Sequence, residues 1–341
     1  MTNDSTIRLA VIGLGGMGRF HLDTFRSLAP WVRVSALADP YRPCVDQARA
    51  LAPGAATFDD PIGCLAAGGF DAALVATADA THYDIVRACI ERRIPVLCEK
   101  PLTQSPQHSL DLVQAEQKYG SRLVQVGFMR RQDAGYRQMK RTLASGRAGS
   151  PMLVQHRNHN PSCAIDFDVT QLISSSASHD IDLFRWFIEE EIAEVSCAMK
   201  HSPDGEAVTI LLSLRSTTGI LGLSEIGRGP GLQYDIDCDI IASAGSISLG
   251  SPSQLTRATA DGAGTFLPSE WIERFEGAYR AQDFQWAASV ARNTVTGPTA
   301  YDGYANNAVV HAALEALATG KPTPVDQIPP SPPDTDRMAV A

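Results

Sequence analysis

The order of apolar and polar positions divides this chain into two parts. In the first part, short apolar runs typical of strands alternate with longer stretches typical of helices. The predicted strands are residues 7–12, 32–38, 71–77, 95–98 and 123–126, and the predicted helices are residues 19–28, 40–51, 81–92 and 106–119. Strands that alternate with helices predict a parallel sheet with helices packed on it.

From about residue 127 the pattern changes to strand-like runs with few helices between them. The predicted strands are residues 152–156, 192–199, 208–214, 220–225, 234–242 and 246–249, and the predicted helices are 132–145, 174–188, 280–295 and 301–319. This order predicts a mostly antiparallel sheet in an α+β domain. We therefore expect an α/β domain over residues 1–127, an α+β domain over 128–325 and a flexible, proline-rich tail over 326–341.

A glycine-rich turn joins the first predicted strand to the helix that follows it. Its residues are Gly13, Gly15, Gly16, Met17 and Gly18. Strand, G-x-G-x-x-G and helix in this order form the dinucleotide-binding fingerprint of a Rossmann domain. The second predicted strand ends at Asp39, twenty-one residues after Gly18, where a carboxylate accepts hydrogen bonds from an adenosine ribose. The alternative is a glycine-rich turn in an unrelated α/β protein, but the two signals together predict a dinucleotide site.

Chemistry is expected where the strands of the parallel sheet end, because ligands bind at the carboxyl ends of such strands. The strand-end residues are Gly13, Asp39, Thr77 and Lys100. A lysine facing the nicotinamide would hydrogen-bond a substrate hydroxyl and stabilise negative charge on its oxygen. The alternative for Lys100 is a surface lysine paired with Glu99.

A second candidate lies in the run SHDID at residues 178–182, before the apolar stretch 183–188. Histidine is the side chain best suited to take a proton near neutral pH, so His179 is a candidate general base. The alternative is a histidine at the start of a helix, held there by capping hydrogen bonds. Carboxylate clusters of this kind also bind metals, but no partner cluster with suitable spacing accompanies this one, so we expect no metal.

Bulk properties narrow the classes of function. The chain has 341 residues, which favours two domains, and 44% of them are hydrophobic. Its net charge of −9, without a basic stripe, argues against a nucleic-acid partner. No apolar run reaches the roughly 20 residues that span a bilayer, and residues 1–6 show no signal-peptide pattern. The seven scattered cysteines form no CxxC pair, which is typical of reduced thiols in a cytoplasmic protein.

Several stretches together resemble the Gfo/Idh/MocA oxidoreductase family, and within it most closely the inositol 2-dehydrogenase branch. They are VIGLGGMGRFH (11–21), ATADATHYDIVRACIERRIPVLCEKPL (76–102), VGFMRRQDAGYRQMK (126–140), SHDIDLFRW (178–186) and GPTAYDGY (297–304). The resemblance implies a Rossmann domain followed by a domain with a large open sheet, through which members form homodimers or homotetramers. It also implies hydride transfer between NAD(P) and a secondary alcohol of a sugar or cyclitol.

The resemblance also assigns residues. Lys100 and His179 would act on the reacting hydroxyl, with His179 as the general base. Substrate contacts would fall at Arg130, Asn158, Asn160, Ser175 and Tyr234. Besides the glycine loop and Asp39, the cofactor contacts would be Thr77, Ala78, His82, Glu99 and Lys100.

One position departs from the family pattern in a way that bears on mechanism. The family helix usually carries an aspartate four residues before the histidine, and here Ser175 stands there. Residues four apart share a helix face, and serine cannot supply the charge that orients and stabilises a protonated imidazole. We expect a weaker base or a substrate other than myo-inositol. Ala78 and Asp79 replace a common Pro-Asn pair beside the cofactor, a change we expect to be tolerated.

The leading hypothesis is an NAD-dependent dehydrogenase for a cyclitol or sugar. Asp39 would repel a 2′-phosphate and favours NAD, while the nearby Arg42 keeps NADP possible. Two alternatives stay open: a non-catalytic sensor that binds NAD(P) and a metabolite, and a dehydrogenase for an amino- or keto-cyclitol in a biosynthetic pathway.

Overall fold

The computed structural model describes residues 6–161, 169–250, 256–259, 262–265 and 268–327, with the backbone alone for 256–259 and 262–265. By contacts, the chain divides into one compact unit of Met1–Phe128 with Tyr279–Asn307 and a second of Met129–Ala278 with Ala308–Ala341. The expected boundary after residue 127 falls one residue from this division. Residues 279–307, however, group with the first unit and not with the second. The expected tail lies outside the described residues from residue 328 onward.

The first unit contains a six-stranded sheet in which all neighbouring strands are parallel. Its strands are β1 (Ile7–Ile12), β2 (Val32–Ala38), β3 (Ala56–Phe58), β4 (Ala72–Val75), β5 (Val96–Cys98) and β6 (Val124–Val126), in the order β3-β2-β1-β4-β5-β6. Every residue of β4, β5 and β6 is buried, as expected for strands covered on both faces. The predicted parallel sheet is confirmed.

Five helices of the first unit connect these strands. They are α1 (Gly16–Ser27), α2 (Arg42–Leu51), α3 (Pro61–Ala67), α4 (His82–Glu91, after a 3-10 turn at Asp79–Thr81) and α5 (Pro106–Tyr119). β3 and α3 were not predicted from the sequence. Both are too short for a clear periodicity, and α3 begins from a cap in which Asp60 accepts hydrogen bonds from the backbone of Ile62 and Gly63.

The second unit contains a seven-stranded sheet that is antiparallel except for one neighbouring pair. Its strands are β7 (Pro151–Asn160), β8 (Ile192–His201), β9 (Val208–Ser216), β10 (Leu221–Arg228), β11 (Asp235–Ala242), β12 (Gly245–Leu249) and β15 (Thr323–Pro324), in the order β12-β11-β7-β10-β9-β8-β15. The parallel pair is β7 with β10. A separate two-stranded sheet pairs β13 (Thr256–Thr259) with β14 (Gly262–Thr265). The predicted mostly antiparallel sheet is confirmed.

The remaining helices are α6 (Ala134–Ala144, after a 3-10 turn at Met129–Gln132), α7 (Val169–Ile188), α8 (Trp271–Val290) and α9 (Ala300–Thr319). α8 and α9 each contribute residues to both units. α7 begins before the predicted residue 174, so His179 lies in mid-helix and not at a helix start. The capping alternative for His179 is therefore wrong.

Within the described residues, no helix combines the length and the apolar composition needed to cross a membrane. Six of the cysteines are free thiols, and Cys163 lies outside the described part of the chain.

Candidate active site

Two glycines of the β1–α1 loop are required by the fold itself. Gly13 has φ +89°, and a Cβ built there would lie 2.4 Å from the carbonyl oxygen of Ala76. A Cβ on Gly18 would lie 1.8 Å from the carbonyl oxygen of Gly13. These contacts hold α1 close against the ends of β1 and β4, so neither position tolerates a side chain.

Gly15 and Gly16, which lie between Gly13 and Gly18, are not required by close packing. A Cβ on Gly15 or Gly16 would meet no protein atom within 4 Å, so the fold leaves open space beside them. Gly15 caps α1 with φ −64° and provides no side chain to bond the free N–H groups of its first turn. Exposed N–H groups beside a surface without side chains suit a pyrophosphate. The loop, including the half-buried Met17, therefore fits a dinucleotide.

Asp39 is bound to the glycine loop as well as being placed for a ribose. One of its carboxylate oxygens accepts the backbone N–H of Leu14 at 2.7 Å, and the other accepts that of Tyr41 at 2.8 Å. Each oxygen has a second lone pair, so the half-buried carboxylate can also accept from ribose hydroxyls. Arg42 pairs with Asp46 at 3.1 Å on the exposed side of α2.

His82 links the loops that follow two neighbouring strands. Its ring is almost fully buried, and it lies 2.8 Å through Nδ1 from the carbonyl oxygen of Pro101 and 3.1 Å through Nε2 from that of Thr77. Ala78 is exposed on the loop between them. His82 therefore supports the predicted cofactor-binding loops, while Thr77 and Ala78 lie on the loop itself.

Glu99 and Lys100 follow β5 at the same edge of the sheet. Glu99 is 6% exposed, and its Oε2 accepts the backbone N–H of Lys100 at 3.2 Å. Its Oε1 lies 3.0 Å from Nε2 of His21 on α1. Glu99 is therefore an enclosed carboxylate that contacts the ring of His21 and the backbone of Lys100.

His21 on α1 is a further residue of this cluster, and it was not predicted from the sequence. It is fully buried, and its Nδ1 lies 2.8 Å from a carboxylate oxygen of Asp283 on α8. Burial by itself lowers the pKa of His21, but Asp283 and Glu99 outweigh it and raise the pKa to about 10. The available signal was a histidine three residues after the last glycine of the loop, on the buried face of α1.

In the second unit, two consecutive arginines hold the helix that carries His179. Arg130 Nη1 lies 2.7 Å from Asp180, and Arg131 binds Asp182 through two hydrogen bonds of 2.9 and 2.6 Å. Asp180 and Asp182 are almost fully buried. Because Asp180 and Asp182 directly follow His179, which is 6% exposed, these ion pairs hold the middle of α7 in place.

Asn158 joins the same cluster. Its Nδ2 donates to the carbonyl oxygen of Ser176 at 2.8 Å and lies 3.4 Å from Asp180. Ser224 donates to the same Asp180 oxygen at 2.6 Å. The structure thus brings two predicted substrate residues, Asn158 and Arg130, together under α7, where both are about 95% buried.

The other predicted substrate residues of this unit lie on three elements. Ser175 is half-buried on α7, one turn before His179. Tyr234 directly precedes β11, and burial raises the pKa of its hydroxyl. Asn160 ends β7, and its carbonyl oxygen accepts the backbone N–H of Gly229.

A buried histidine on β7 was also missed. His156 is 2% exposed, and neither ring nitrogen has a hydrogen-bond partner among the described residues. Burial lowers its pKa to about 4, so the ring is neutral at pH 7. The alternation in HRNHN, which places residues 156, 158 and 160 on one side of the strand, was the signal that could have found it.

The part of the chain that the structure describes contains no group of three or more His, Cys, Asp or Glu side chains arranged to hold a metal ion.

Two family models match this chain. The model described as the oxidoreductase family with an NAD-binding Rossmann fold covers residues 7–128. The model of the GFO/IDH/MocA C-terminal domain covers residues 136–248. The glycine loop and the parallel sheet lie in the first matched range, and the candidate residues Asn158, Ser175 and His179 lie in the second.

Relatives match along almost the whole chain. The chain is 37% identical over 331 residues to inositol 2-dehydrogenase 2 of Saccharopolyspora erythraea, covering 95% of this chain and 97% of that protein. It is 34% identical over 325 residues to inositol 2-dehydrogenase of Streptomyces avermitilis, covering 94% and 95%. The crystal structure of myo-inositol dehydrogenase from Lactobacillus casei with NAD(H) and myo-inositol has the same fold, with a TM-score of 0.89, 23% identity and coverage of 96% and 99%.

The open space beside Gly15 and Gly16 fits the NAD that the first family model names, and the matched ranges together cover most of the chain. This protein therefore belongs to the GFO/IDH/MocA oxidoreductase family and is an NAD(P)-dependent dehydrogenase.

Proposed function

We propose that this protein oxidises a secondary alcohol of an inositol-like cyclitol or sugar and transfers the hydride to NAD. The observation that carries the proposal is the 37% identity to an inositol 2-dehydrogenase across 95% of the chain. The proposal is also supported by the residues that the resemblance assigns to the reaction, since Lys100 and His179 are both retained. Fold alone would not support a substrate, because one fold serves many reactions.

In the proposed reaction, His179 takes the proton of the substrate hydroxyl while Lys100 hydrogen-bonds the same oxygen and stabilises its developing negative charge. The C–H bond of that carbon breaks, and its electron pair leaves with the hydrogen as hydride, so the alcohol becomes a ketone. NAD⁺, when bound, supplies the hydride acceptor. The glycine loop and Asp39 would hold its pyrophosphate and ribose.

The proposed substrate contacts are Arg130, Asn158, Asn160, Ser175 and Tyr234. Arg130 is hydrogen-bonded to Asp180, and Asn158 is hydrogen-bonded to the backbone of Ser176. Both would therefore act chiefly by holding the part of α7 that carries His179. Ser175 supplies a hydroxyl where the family usually has a carboxylate. This difference favours a cyclitol other than myo-inositol, such as an aminocyclitol, whose ammonium group would itself change the charge at that position.

Ser175 also supports a second candidate, a sensor that binds NAD(P) and a metabolite without turnover. Retention of Lys100 and His179 argues against it. The two candidates differ in one measurement, which is NADH formation across inositol isomers, aminocyclitols and pyranoses, with NADP⁺ run in parallel. Turnover of one compound that is lost in His179→Ala would establish the dehydrogenase. Binding of NAD⁺ by calorimetry without turnover of any compound would favour the sensor.

We further propose a cytoplasmic homodimer or homotetramer. The strand register places Leu211, Leu221 and Ile241 on one face of the seven-stranded sheet, where each is 44–50% exposed. An exposed apolar sheet face is typical of a surface that another subunit covers. The free thiols are typical of a reducing compartment. Light scattering of the purified protein would measure the number of subunits.

A further inference from the structure

We propose that His21 is a positioning residue for Lys100, because it fixes the Glu99 carboxylate that holds the Lys100 backbone. The inference rests on the proposed function, which assigns Lys100 to the reacting hydroxyl. None of the residue roles that the resemblance implies falls on His21.

The first observation is the geometry of the ring. Nδ1 of His21 lies 3.0 and 2.8 Å from the two carboxylate oxygens of Asp283, and Nε2 lies 3.0 Å from Oε1 of Glu99. An ionised carboxylate only accepts hydrogen bonds, so a ring between two carboxylates donates from both nitrogens. His21 therefore joins α1 and α8 to the residue that follows β5.

The second observation is the electrostatic setting. His21 and Asp283 are fully buried, and Glu99 is 6% exposed. Two buried carboxylates would repel each other, but the pKa of about 10 for His21 makes the ring a cation between them at neutral pH. The aromatic ring of Tyr279 lies 5.6 Å from the imidazole, edge to face, and helps to enclose it. Charge and shape together hold the ring in one orientation.

The third observation is the space that Glu99 occupies. Gly127 follows β6, and a Cβ there would lie 2.8 Å from Oε1 and 3.1 Å from Cα of Glu99. The backbone N–H of Gly127 donates to the carbonyl oxygen of Cys98, directly before Glu99. Both Gly127 and His21 thus lie against Oε1 of Glu99, and Oε2 accepts the backbone N–H of Lys100.

These contacts form a continuous series from Asp283 through His21 and Glu99 to the backbone of Lys100. A shift of about 1 Å in a reacting group can lower a rate about 100-fold, so the orientation of Lys100 matters for turnover. Asp283 orients the imidazole and stabilises its charge, as a buried aspartate does for a catalytic histidine. Without His21, Glu99 would lose the charged donor that holds its carboxylate beneath Lys100.

General packing of α1 on α8 is provided elsewhere. The rings of Phe25 and Trp286, one turn further along the two helices, pack edge to face with 5.8 Å between their centroids. Phe25→Leu therefore offers a matched control, because it loosens the same two helices without touching Glu99. His21→Gln keeps a neutral donor but removes the cation.

The experiment compares the wild type, His21→Gln, Phe25→Leu and the double variant His21→Leu/Asp283→Leu. The double variant removes both charges of the buried pair, so it avoids leaving Asp283 uncompensated in the core. We expect kcat to fall about 10- to 100-fold in both His21 variants, with the KM for NAD⁺ changed by less than about threefold. Phe25→Leu should lower the Tm and leave kcat within about twofold of the wild type.

A kcat within about twofold of the wild type in folded His21 variants would overturn the proposal, and so would an equal loss of kcat in Phe25→Leu. If the wild type turns over none of the polyols, the proposed function fails, but the positioning role is still measurable. The ¹³C resonance of reductively methylated Lys100, assigned with Lys100→Arg, is then titrated in each variant. A midpoint displaced in His21→Gln but not in Phe25→Leu supports positioning, whereas equal midpoints refute it.

Discussion

Ser175 and His179 lie one turn apart on α7, so a single side chain decides the charge beside the proposed base. An aspartate at position 175 would face the imidazole and favour its protonated form. A serine hydroxyl at this position provides a hydrogen bond without that charge. The difference between this protein and the usual pattern of the inositol branch is therefore local and can be reversed.

We expect Ser175→Asp to raise kcat/KM for myo-inositol about tenfold or more and to move the acidic limb of its pH profile to higher pH. The reason is that a carboxylate makes the base stronger, and a stronger base holds its proton up to a higher pH. Ser175→Asn is the matched control, since it has the size of aspartate without the charge. Equal effects of the two substitutions would show that charge at this position is not what limits the reaction.

At the scale of elements, α1 and α7, which carry the proposed positioning residue His21 and the candidate base His179, are each fixed by several contacts. α1 is held against β1 and β4 by Gly13 and Gly18, which have no room for a side chain. α7 is held by the pairing of Arg130 and Arg131 with buried aspartates. The other side of the β1–α1 loop, at Gly15 and Gly16, is open, as the proposed cofactor site requires.

Two alanine substitutions in this loop should therefore have opposite effects. Gly15→Ala fits the backbone, which has φ −64°, and meets no protein atom, so we expect an unchanged Tm and an NAD⁺ affinity lowered about 10-fold or more. Gly18→Ala would collide with the carbonyl oxygen of Gly13, so we expect the Tm to fall by several degrees. Calorimetry measures the NAD⁺ affinity of each variant, and thermal unfolding measures its Tm. Unchanged NAD⁺ binding in Gly15→Ala would contradict the proposal that the bound cofactor lies against Gly15.

At the scale of the whole molecule, buried histidines make folding depend on pH. Burial lowers the pKa of His156 to about 4 in the folded protein. The positive charge of Arg130 also lowers this pKa, and the nearby Asp180 partly opposes both effects. In the unfolded chain its imidazole binds a proton near pH 6.5. Between these values the unfolded state holds more protons, so the free energy of unfolding falls as the pH decreases from about 6.5 to about 4.

We expect His156→Gln to weaken this dependence. From pH 7 to pH 4 the free energy of unfolding of the wild type should fall by about 3 kcal/mol more than that of the variant. The reason is that the variant lacks the imidazole whose pKa differs between the folded and unfolded states. Denaturant unfolding at a series of pH values measures the difference. His201→Gln, which changes an exposed histidine on β8, is the control. Parallel curves for the wild type and His156→Gln would rule out His156 as the source.

Much of the fold was predictable because the signals for it are local. Apolar runs and helical spacing predicted most of the strands and helices of both parts, and the α5 bounds agree with the predicted residues 106–119. The short β3 and α3 gave no period to detect, and the start of α7 was placed five residues late. The glycine loop was recognisable because its spacing is fixed within six residues.

The candidate site was predictable only in part. The strand-end position of Lys100 follows from local pattern, and the roles of Lys100 and His179 stay predictions that rest on resemblance. The contacts of His21 with Asp283 and of Arg130 with Asp180 join residues 262 and 50 positions apart. No local pattern relates such residues, because from the sequence alone any buried aspartate or glutamate is an equally good candidate partner.

The sequence by itself determined most of the strands and helices and which sheet is parallel, and it predicted a dinucleotide site at the glycine loop, because these features depend on neighbouring residues. The tertiary structure decided the strand order, the parallel pair β7–β10 and which charged side chains meet beneath the candidate catalytic residues. Burial is the physical reason. A charge inside a protein requires a partner, and only packing determines which distant residue supplies it.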